Sequence, residues 1–231
     1  MSAVRQGLRR ALELALPRSR FLVRGPASSG AVALTFDDGP HPEITPRLLD
    51  LLAIHELRAT FFVIGREAER HPALLARMVA EGHAIGHHSY THSEPATTSA
   101  ETLLAELEIA NDVFWQAAGV LPSIMRPPKG QLSTEKLVRL LARGFRVVLW
   151  SVDPKDYAMT SAEPLVAWAR DSDFAGGDVI LLHDVQPHCL AAIPVLAARL
   201  RQLGLATVPL GAWLPTGEVG RGIAAPGMTG S

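Results

Sequence analysis

Two neighbouring aspartates and a pair of histidines are the residues of this 231-residue chain whose types and spacing could do chemistry. Asp37 and Asp38 lie in the segment TFDDGP, directly after an apolar run. His88 and His92 lie in GHHSYTH, and their spacing brings both imidazoles to one face if the segment forms a helical turn. One carboxylate and two neutral imidazoles can bind Zn²⁺ and leave coordination positions open, as in a catalytic site. The other aspartate would then be free to act as a base.

Each of these patterns also has a structural interpretation. Asp, Gly and Pro all favour turns, so Asp37-Asp38-Gly39-Pro40 could simply be a turn. The histidines could form ordinary loop hydrogen bonds. The metal interpretation is favoured because the predicted fold brings both patterns to one edge.

Two further segments could complete a reaction at that edge. RPPKG begins at Arg126, and its two prolines stiffen the backbone so that a following N–H is aimed rigidly. A stiff surface loop is the alternative. LLHD ends an apolar run with His183, whose imidazole lies beside a carboxylate and could serve as a general acid. A buried, hydrogen-bonded histidine is the alternative there.

The elements that must position these residues alternate along the chain. Short apolar runs predict strands, and amphipathic stretches between them predict helices. This alternation implies parallel βαβ units, either in a barrel somewhat smaller than the usual (β/α)₈ or in an open doubly wound sheet. In a barrel, the polar residues that follow the strands share the C-terminal rim. The predicted strands are 31–36, 59–64, 84–87, 123–126, 145–151, 178–183 and 206–210, and the predicted helices are 45–55, 72–81, 100–118, 134–143, 162–170 and 190–203.

Composition excludes several classes of protein. With 22 basic and 23 acidic residues the formal net charge is −1, which gives no electrostatic footprint for nucleic acid. No stretch approaches the roughly 20 apolar residues of a membrane-spanning helix. The single cysteine, Cys189, excludes an internal disulfide framework. Together with the lack of an export signal, it predicts a cytoplasmic protein, peripheral at the membrane if its N-terminal helix contacts lipid.

The chain is predicted to have one catalytic domain with two flanking segments. Residues 1–30 predict an amphipathic helix with a basic face, followed by a linker; the helix either packs on the domain or lies on an anionic membrane surface. Residues 31–214 form the predicted catalytic domain. Residues 215–231 are rich in Gly, Pro and Ser and are predicted to be disordered.

Five motifs in a fixed order give the chain a family resemblance: TFDDGP, HHSYTH, RPPKG, WSVDPKDY and LLHD. From about residue 32 to residue 210, the sequence resembles the polysaccharide deacetylases of carbohydrate esterase family four, which share a domain with nodulation-type chitooligosaccharide deacetylases. The resemblance implies a distorted (β/α) barrel with about seven parallel strands. It also implies a metal-dependent hydrolase that removes N-acetyl groups from amino sugars in a polysaccharide, an oligosaccharide or a precursor, releasing acetate.

The resemblance implies roles for the motif residues. Asp37 would be the catalytic base, while Asp38, His88 and His92 would bind a divalent metal, Zn²⁺ first, with Co²⁺ or Ni²⁺ as substitutes. Arg126 would steer the base, and a backbone N–H two or three residues later would help bind the oxyanion.

The resemblance also implies an acid and a substrate groove. His183 would be the general acid, oriented by an aspartate that matches Asp153 better than Asp156. The residues expected to contact the substrate are Pro128, Lys129, Trp150, Tyr157 and Leu181.

Departures from the family pattern leave alternatives open. Lys129 stands where the family usually has Tyr, and its cation makes an anionic or phosphate-linked sugar conceivable. An O-deacetylase acting on acetylated xylan is a second enzymatic interpretation. A carbohydrate-binding protein on an inactivated scaffold is a third, disfavoured because each expected ligand, base and acid is present. A carbohydrate is the expected partner, and the oligomeric state is not predicted.

Overall fold

The elements alternate between strand and helix through most of the chain. The computed structural model describes residues 3–214, with the backbone alone for residues 3–6 and 8. The strands are β1 (Phe21–Leu22), β2 (Ala31–Asp37), β3 (Ala59–Val63), β4 (Ala84–His87), β5 (Ile124–Met125), β6 (Arg146–Val148), β7 (Val179–His183) and β8 (Ala206–Thr207). The α-helices are α1 (Ala3–Ala15), α2 (Ile44–Ile54), α3 (Gly65–Arg70), α4 (Pro72–Ala80), α5 (Ala100–Ala118), α6 (Thr134–Ala142), α7 (Glu163–Asp171) and α8 (His188–Gln202).

Seven of these strands lie side by side in the order β1-β6-β5-β4-β3-β2-β7, and β8 pairs with β2 off this path. Every strand pair is parallel. A parallel bridge between Val152 and Ile180 brings the chain after β6 against β7, so the sheet curls towards closure. The predicted distorted barrel of about seven parallel strands is confirmed.

Burial explains why the central strands form. All seven residues of β2 (AVALTFD) and all five of β3 (ATFFV) are buried, as expected for parallel strands covered on both faces. Phe36 and Phe61 stack across these two strands with their ring centroids 5.2 Å apart. Apolar faces of α2 and α8 join the same core through Leu48, Leu52 and Leu196.

Helix α5 has the bounds that its sequence predicts, because both of its ends carry strong local signals. The Ser99 hydroxyl accepts a hydrogen bond from Thr102 N at 3.0 Å, and Gly119 ends the helix at φ 65°. Two elements were not predicted. Helix α3 has six residues, and β1 adds a two-residue strand beside β6 from within the segment 1–30.

The N-terminal helix docks on the domain through its second half. Leu12 and Leu16 pack against a core cluster that includes Phe21, whereas Leu14 is 83% exposed. Arg9 Nη2 donates to the carbonyl of Trp150. None of the helices in residues 3–214 is long and apolar enough to cross a membrane. The predicted tail, 215–231, lies outside the described residues.

Candidate active site

The chemistry-bearing residues meet at the carboxyl ends of neighbouring strands. Asp37 ends β2 and His183 ends β7, and the two are register partners on paired parallel strands. Register partners on parallel strands project their side chains to the same face. Both line a cleft of about 920 Å³ together with Asp38, His88 and His92. The predicted convergence of distant motifs on one rim is confirmed.

Arg126 lies beneath the cleft and holds Asp37. Its side chain is fully buried, and Nη1 donates to Asp37 Oδ1 at 2.6 Å and to Thr35 Oγ1 at 2.9 Å. Nη2 donates to the carbonyl of Leu149 at 3.1 Å, and the guanidinium lies 4.1 Å from the centroid of the Phe62 ring. Because the planar guanidinium of Arg126 is held by several contacts, it fixes the orientation of the Asp37 carboxylate.

Asp38, His88 and His92 bring three ligand atoms together. Asp38 Oδ1 lies 3.3 Å from His88 Nε2 and 3.4 Å from His92 Nε2, and all three atoms fall within 4.8 Å of one another. His88 Nδ1 lies 2.8 Å from the carbonyl of Arg126, which requires Nδ1 to carry the proton. In the neutral ring, the Nε2 lone pair therefore faces Asp38, because a hydrogen bond at the other ring nitrogen fixes the tautomer and orientation of a metal-binding histidine.

A divalent cation fits these three residues. Asp38 Oδ1 is buried, and within 3.4 Å of it lie the Nε2 atoms of two imidazoles, so one carboxylate oxygen and two ring nitrogens face one point. Burial raises the pKa of Asp38, but interaction with His88 and the charges of His183 and His92 outweigh it and lower that pKa to about 2. Burial and the charge of His88 lower the pKa of His92, which favours the neutral imidazole that a metal requires.

The two histidines do not share a helical turn, contrary to one premise of the prediction. The chain after β4 bends instead, with Ser89 at φ 62° and His92 at φ 58°. Asp38 has φ 78°. Left-handed conformations of non-glycine residues cost about 1–3 kcal/mol each and cluster at functional sites. The ligand geometry is therefore built from irregular backbone that the surrounding protein must hold.

The prediction that Asp153 orients His183 is wrong, because Asp156 does so. Asp156 is fully buried, and its Oδ1 lies 2.7 Å from His183 Nδ1 while Oδ2 accepts from His183 N at 2.8 Å. Asp153 lines the cleft, but its Oδ1 accepts from Lys155 N at 2.8 Å, within its own turn.

His183 is held as an imidazolium. Burial alone would lower its pKa, but the hydrogen bond and charge of Asp156, with the charges of Asp37 and Asp38, raise it to about 9. The ring of Tyr157 packs edge-on against the imidazole, with the centroids 5.5 Å apart. The side chain therefore carries a proton at neutral pH and presents it beside Asp37.

Four of the five predicted substrate residues line the cleft: Lys129, Trp150, Tyr157 and Leu181. Pro128 is the exception, since it is buried and Pro127 lines the cleft in its place. Pro128 also has no N–H, so the amide expected two or three residues after Arg126 can only be that of Lys129. The Lys129 ammonium pairs with Glu94, which balances the cation predicted for the groove.

Asp184, the residue after His183, was not predicted from the sequence to support the site. Asp184 is buried and accepts from Thr45 Oγ1 at 2.7 Å. Burial raises its pKa to about 7. A Cβ on Gly39 would lie 2.0 Å from Asp184 Oδ2, so only glycine permits this close approach directly after Asp38.

Comparison with known proteins agrees with this geometry. A family model described as polysaccharide deacetylase matches residues 24–148. A peptidoglycan-N-acetylglucosamine deacetylase of Bacillus cereus is 37% identical over 159 residues, which are 69% of this chain and 58% of that protein. The chain thus spans less than two thirds of that relative's length. A chitooligosaccharide deacetylase of a Bradyrhizobium species is 40% identical over 162 residues, 68% of this chain and 72% of that protein.

A solved structure extends the likeness to a larger share of the chain than the family model matches. The crystal structure of a peptidoglycan N-acetylglucosamine deacetylase superposes with a TM-score of 0.79 and 32% identity, covering 85% of this chain and 92% of that one. The residues that the family model matches include the aspartate pair, the histidine pair and Arg126. With the motifs, the sheet and the site in agreement, the chain belongs to the polysaccharide deacetylase family.

Proposed function

We propose that this protein is a metal-dependent N-deacetylase of N-acetylated amino sugars in a polysaccharide, an oligosaccharide or a precursor glycan. One observation carries the proposal: Asp37 and His183 are register partners at the ends of β2 and β7, beside the group formed by Asp38, His88 and His92. A base, an acid and a cation site in one cleft are what amide hydrolysis requires. The names of the relatives, a peptidoglycan-N-acetylglucosamine deacetylase and a chitooligosaccharide deacetylase, support an N-acetylated amino sugar as the substrate.

Asp38, His88 and His92 would hold the divalent ion, for which we propose Zn²⁺, with Co²⁺ or Ni²⁺ as substitutes. When bound, such an ion supplies Lewis-acid polarisation of the acetyl carbonyl and makes water easier to deprotonate. An all-histidine-and-carboxylate set suits these borderline ions.

The chain's own residues do the remaining work. Asp37, held by Arg126, accepts a proton from the attacking water. The Lys129 N–H would donate to the carbonyl oxygen as its charge grows, and losing one such donor typically costs about 10²–10³ in rate. His183 then donates its Nε2 proton to the departing nitrogen, while its Nδ1 proton stays on the ring and is hydrogen-bonded to the Asp156 carboxylate. General acid catalysis of this kind contributes about 10²–10⁴.

A protonated His183 meets the requirement that amide cleavage places on the general acid. An amine is a poor leaving group unless its nitrogen is protonated, so the acid must keep its proton at the working pH. The pKa of His183, raised to about 9 despite burial by Asp156 and the neighbouring carboxylates, meets that requirement. The cleft, about 920 Å³, lies at the upper end of the range of roughly 300–1,000 Å³ for small-ligand sites, which supports a substrate larger than one acetylated group.

Acetate release tests the proposal. Zn²⁺-loaded protein is expected to release acetate from acetylated chitooligosaccharides, to stop with a chelator and to resume with added Zn²⁺. Asp37→Asn should retain bound metal and lose turnover by at least about 10²-fold, whereas His88→Ala should lose both. Acetate from acetylated xylan alone would identify an O-deacetylase, and bound metal without acetate from either substrate would refute the N-deacetylase assignment.

A further inference from the structure

The third ligand of the proposed metal site, His92, lies in a loop of irregular backbone. Residues 89–93, named here the ligand loop, follow β4 without regular structure, and both Ser89 and His92 have left-handed φ angles. His88, by contrast, is oriented directly by the Arg126 carbonyl. Because left-handed non-glycine residues persist only where the surroundings over-determine them, something must fix the loop.

Glu106, on α5, is the group that gathers the donors of this loop. Its Oε2 accepts from Tyr90 N at 3.0 Å and from Thr91 N at 3.2 Å. Its Oε1 accepts from Thr91 Oγ1 at 2.7 Å and from Ser93 Oγ at 3.3 Å. Both carboxylate oxygens are therefore committed to one loop, and charge-assisted hydrogen bonds of this kind are roughly twice as strong as neutral ones.

The surroundings of Glu106 favour the ionised form that these bonds need. The residue is 8% exposed. Burial raises its pKa, but the hydrogen bonds from Thr91, Tyr90 and Ser89 outweigh that effect and lower it. A buried carboxylate with this many donors is directed at the loop. Glu108, on the same helix, is exposed and pairs with exposed Arg143 instead.

The ligand loop is also held from its other side. Its carbonyls at Ser89 and Tyr90 accept from Gly65 N and Arg66 N, both at 3.0 Å. Within the loop, His92 N donates to Ser89 Oγ at 2.9 Å. Glu106 takes the amide and hydroxyl donors between these points, so it fixes the segment that directly precedes His92.

We infer that Glu106 is a positioning residue for the metal site, which holds the ligand loop so that His92 Nε2 meets Asp38 and His88. The inference concerns the same site as the proposed function and rests on that proposal. It predicts that loss of the Glu106 carboxylate weakens metal binding through His92 alone, and leaves the orientation of His88 and Asp38 unchanged.

Metal titration of purified, metal-free protein tests the inference without substrate. Co²⁺ binding is followed by visible absorption, and Zn²⁺ affinity by competition with Co²⁺. Glu106→Gln, which keeps the shape but offers only one acceptor oxygen, should raise the metal Kd by up to about 10–100-fold, the effect of losing a group that hydrogen-bonds a metal ligand directly. Thr91→Val, which removes one hydroxyl donor, should give a smaller rise. The matched control Glu108→Gln should leave the Kd unchanged.

A double-mutant cycle separates positioning from general loss of stability. In a His92→Ala background, Glu106→Gln should cost no further metal affinity, because the ligand it acts through is gone. An equal loss in both backgrounds, or an unchanged Kd in folded Glu106→Gln, would overturn the inference. If Glu106→Gln folds poorly, Thr91→Val with and without His92→Ala decides the matter in the same way.

The two proposals fail differently. Wild-type protein that binds Co²⁺ and Zn²⁺ but releases no acetate would refute the deacetylase while supporting this inference if the variant Kd rises. Wild-type protein that releases acetate while Glu106→Gln binds metal normally would overturn this inference alone. A wild-type protein that binds neither ion would overturn both.

Discussion

Replacing Asp156 by Asn should move the alkaline limb of the pH–rate profile, because Asp156 keeps the general acid protonated. Burial disfavours the charged imidazole, yet Asp156 and the carboxylates Asp37 and Asp38 raise the pKa of His183 from 6.5 to about 9. That rise corresponds to about 3 kcal/mol of preferential stabilisation of the imidazolium. An asparagine has one acceptor oxygen, so it can satisfy either His183 N or His183 Nδ1, and it carries no charge.

The sign of the effect follows from the role of the proton. A general acid works below its pKa, so the wild-type rate should fall as pH rises through about 9. In Asp156→Asn, burial is opposed only by Asp37 and Asp38, and the pKa of His183 should return to about 6.5 or below. At about pH 7 the protonated fraction then drops from nearly all to about a quarter or less, and lost orientation lowers the rate further.

The assay is acetate release from acetylated chitooligosaccharides across the range from about pH 5 to pH 10. Asp153→Asn is the matched control, because Asp153 lies three residues earlier in the same motif and bonds Lys155 N rather than His183. Its alkaline limb should stay where the wild type has it. An unmoved limb in Asp156→Asn, or a limb that moves only in Asp153→Asn, would refute the reasoning.

Three further changes have defined outcomes. Arg126→Lys should lower kcat by about 10²-fold, because a single ammonium cannot reproduce the fork that holds Asp37; metal affinity measured alongside should persist, and its loss would contradict the separate roles. Because Arg9 and Leu12 of α1 line the cleft, Leu12→Asp should release α1 from the cleft wall and change KM, whereas Leu14→Asp, at an exposed position, should not; equal effects would show that the docked helix does not shape the cleft. Removing metal with a chelator should lower the unfolding temperature, and restoring it at about 100 times its Kd should recover about 2.7 kcal/mol; an unchanged unfolding temperature would contradict a site formed only in the folded protein.

The sequence predicted the fold because each part of the barrel has its own local signal. All seven predicted strands are present, since parallel strands read as short apolar runs between helices. The two elements that the sequence did not predict have weak local sequence signals or none. Strand β1, Phe21–Leu22, is two residues long and exists only because β6 offers an edge to pair with. Helix α3, GREAER, has no apolar stripe to mark it.

The candidate site was predictable in its residue types and less so in its contacts. Asp153 and Asp156 both stand in WSVDPKDY, and proximity in sequence cannot tell which reaches His183. One signal was available: Asp153 precedes a proline, and Asp-Pro favours turn initiation, where the carboxylate bonds its own backbone. It does so here with Lys155 N. Asp156 also accepts from Tyr157 N at 3.0 Å, but it is fully buried against the end of β7 and reaches His183.

Arg126 shows why side chain and backbone must be considered separately at this site. Its guanidinium fixes Asp37, its carbonyl receives the Nδ1 proton of His88, and its own N–H donates to the carbonyl of His87 at 2.9 Å. One residue thus sets the base through its side chain and a metal ligand through its backbone. A substitution changes only the first of these, so base and metal site respond separately to mutation although the same residue positions both. Glu106, by contrast, acts on the metal ligand His92 and does not contact the base. A variant of Arg126 should therefore lose turnover and keep its metal affinity, whereas a variant of Glu106 should lose metal affinity while its base stays in position.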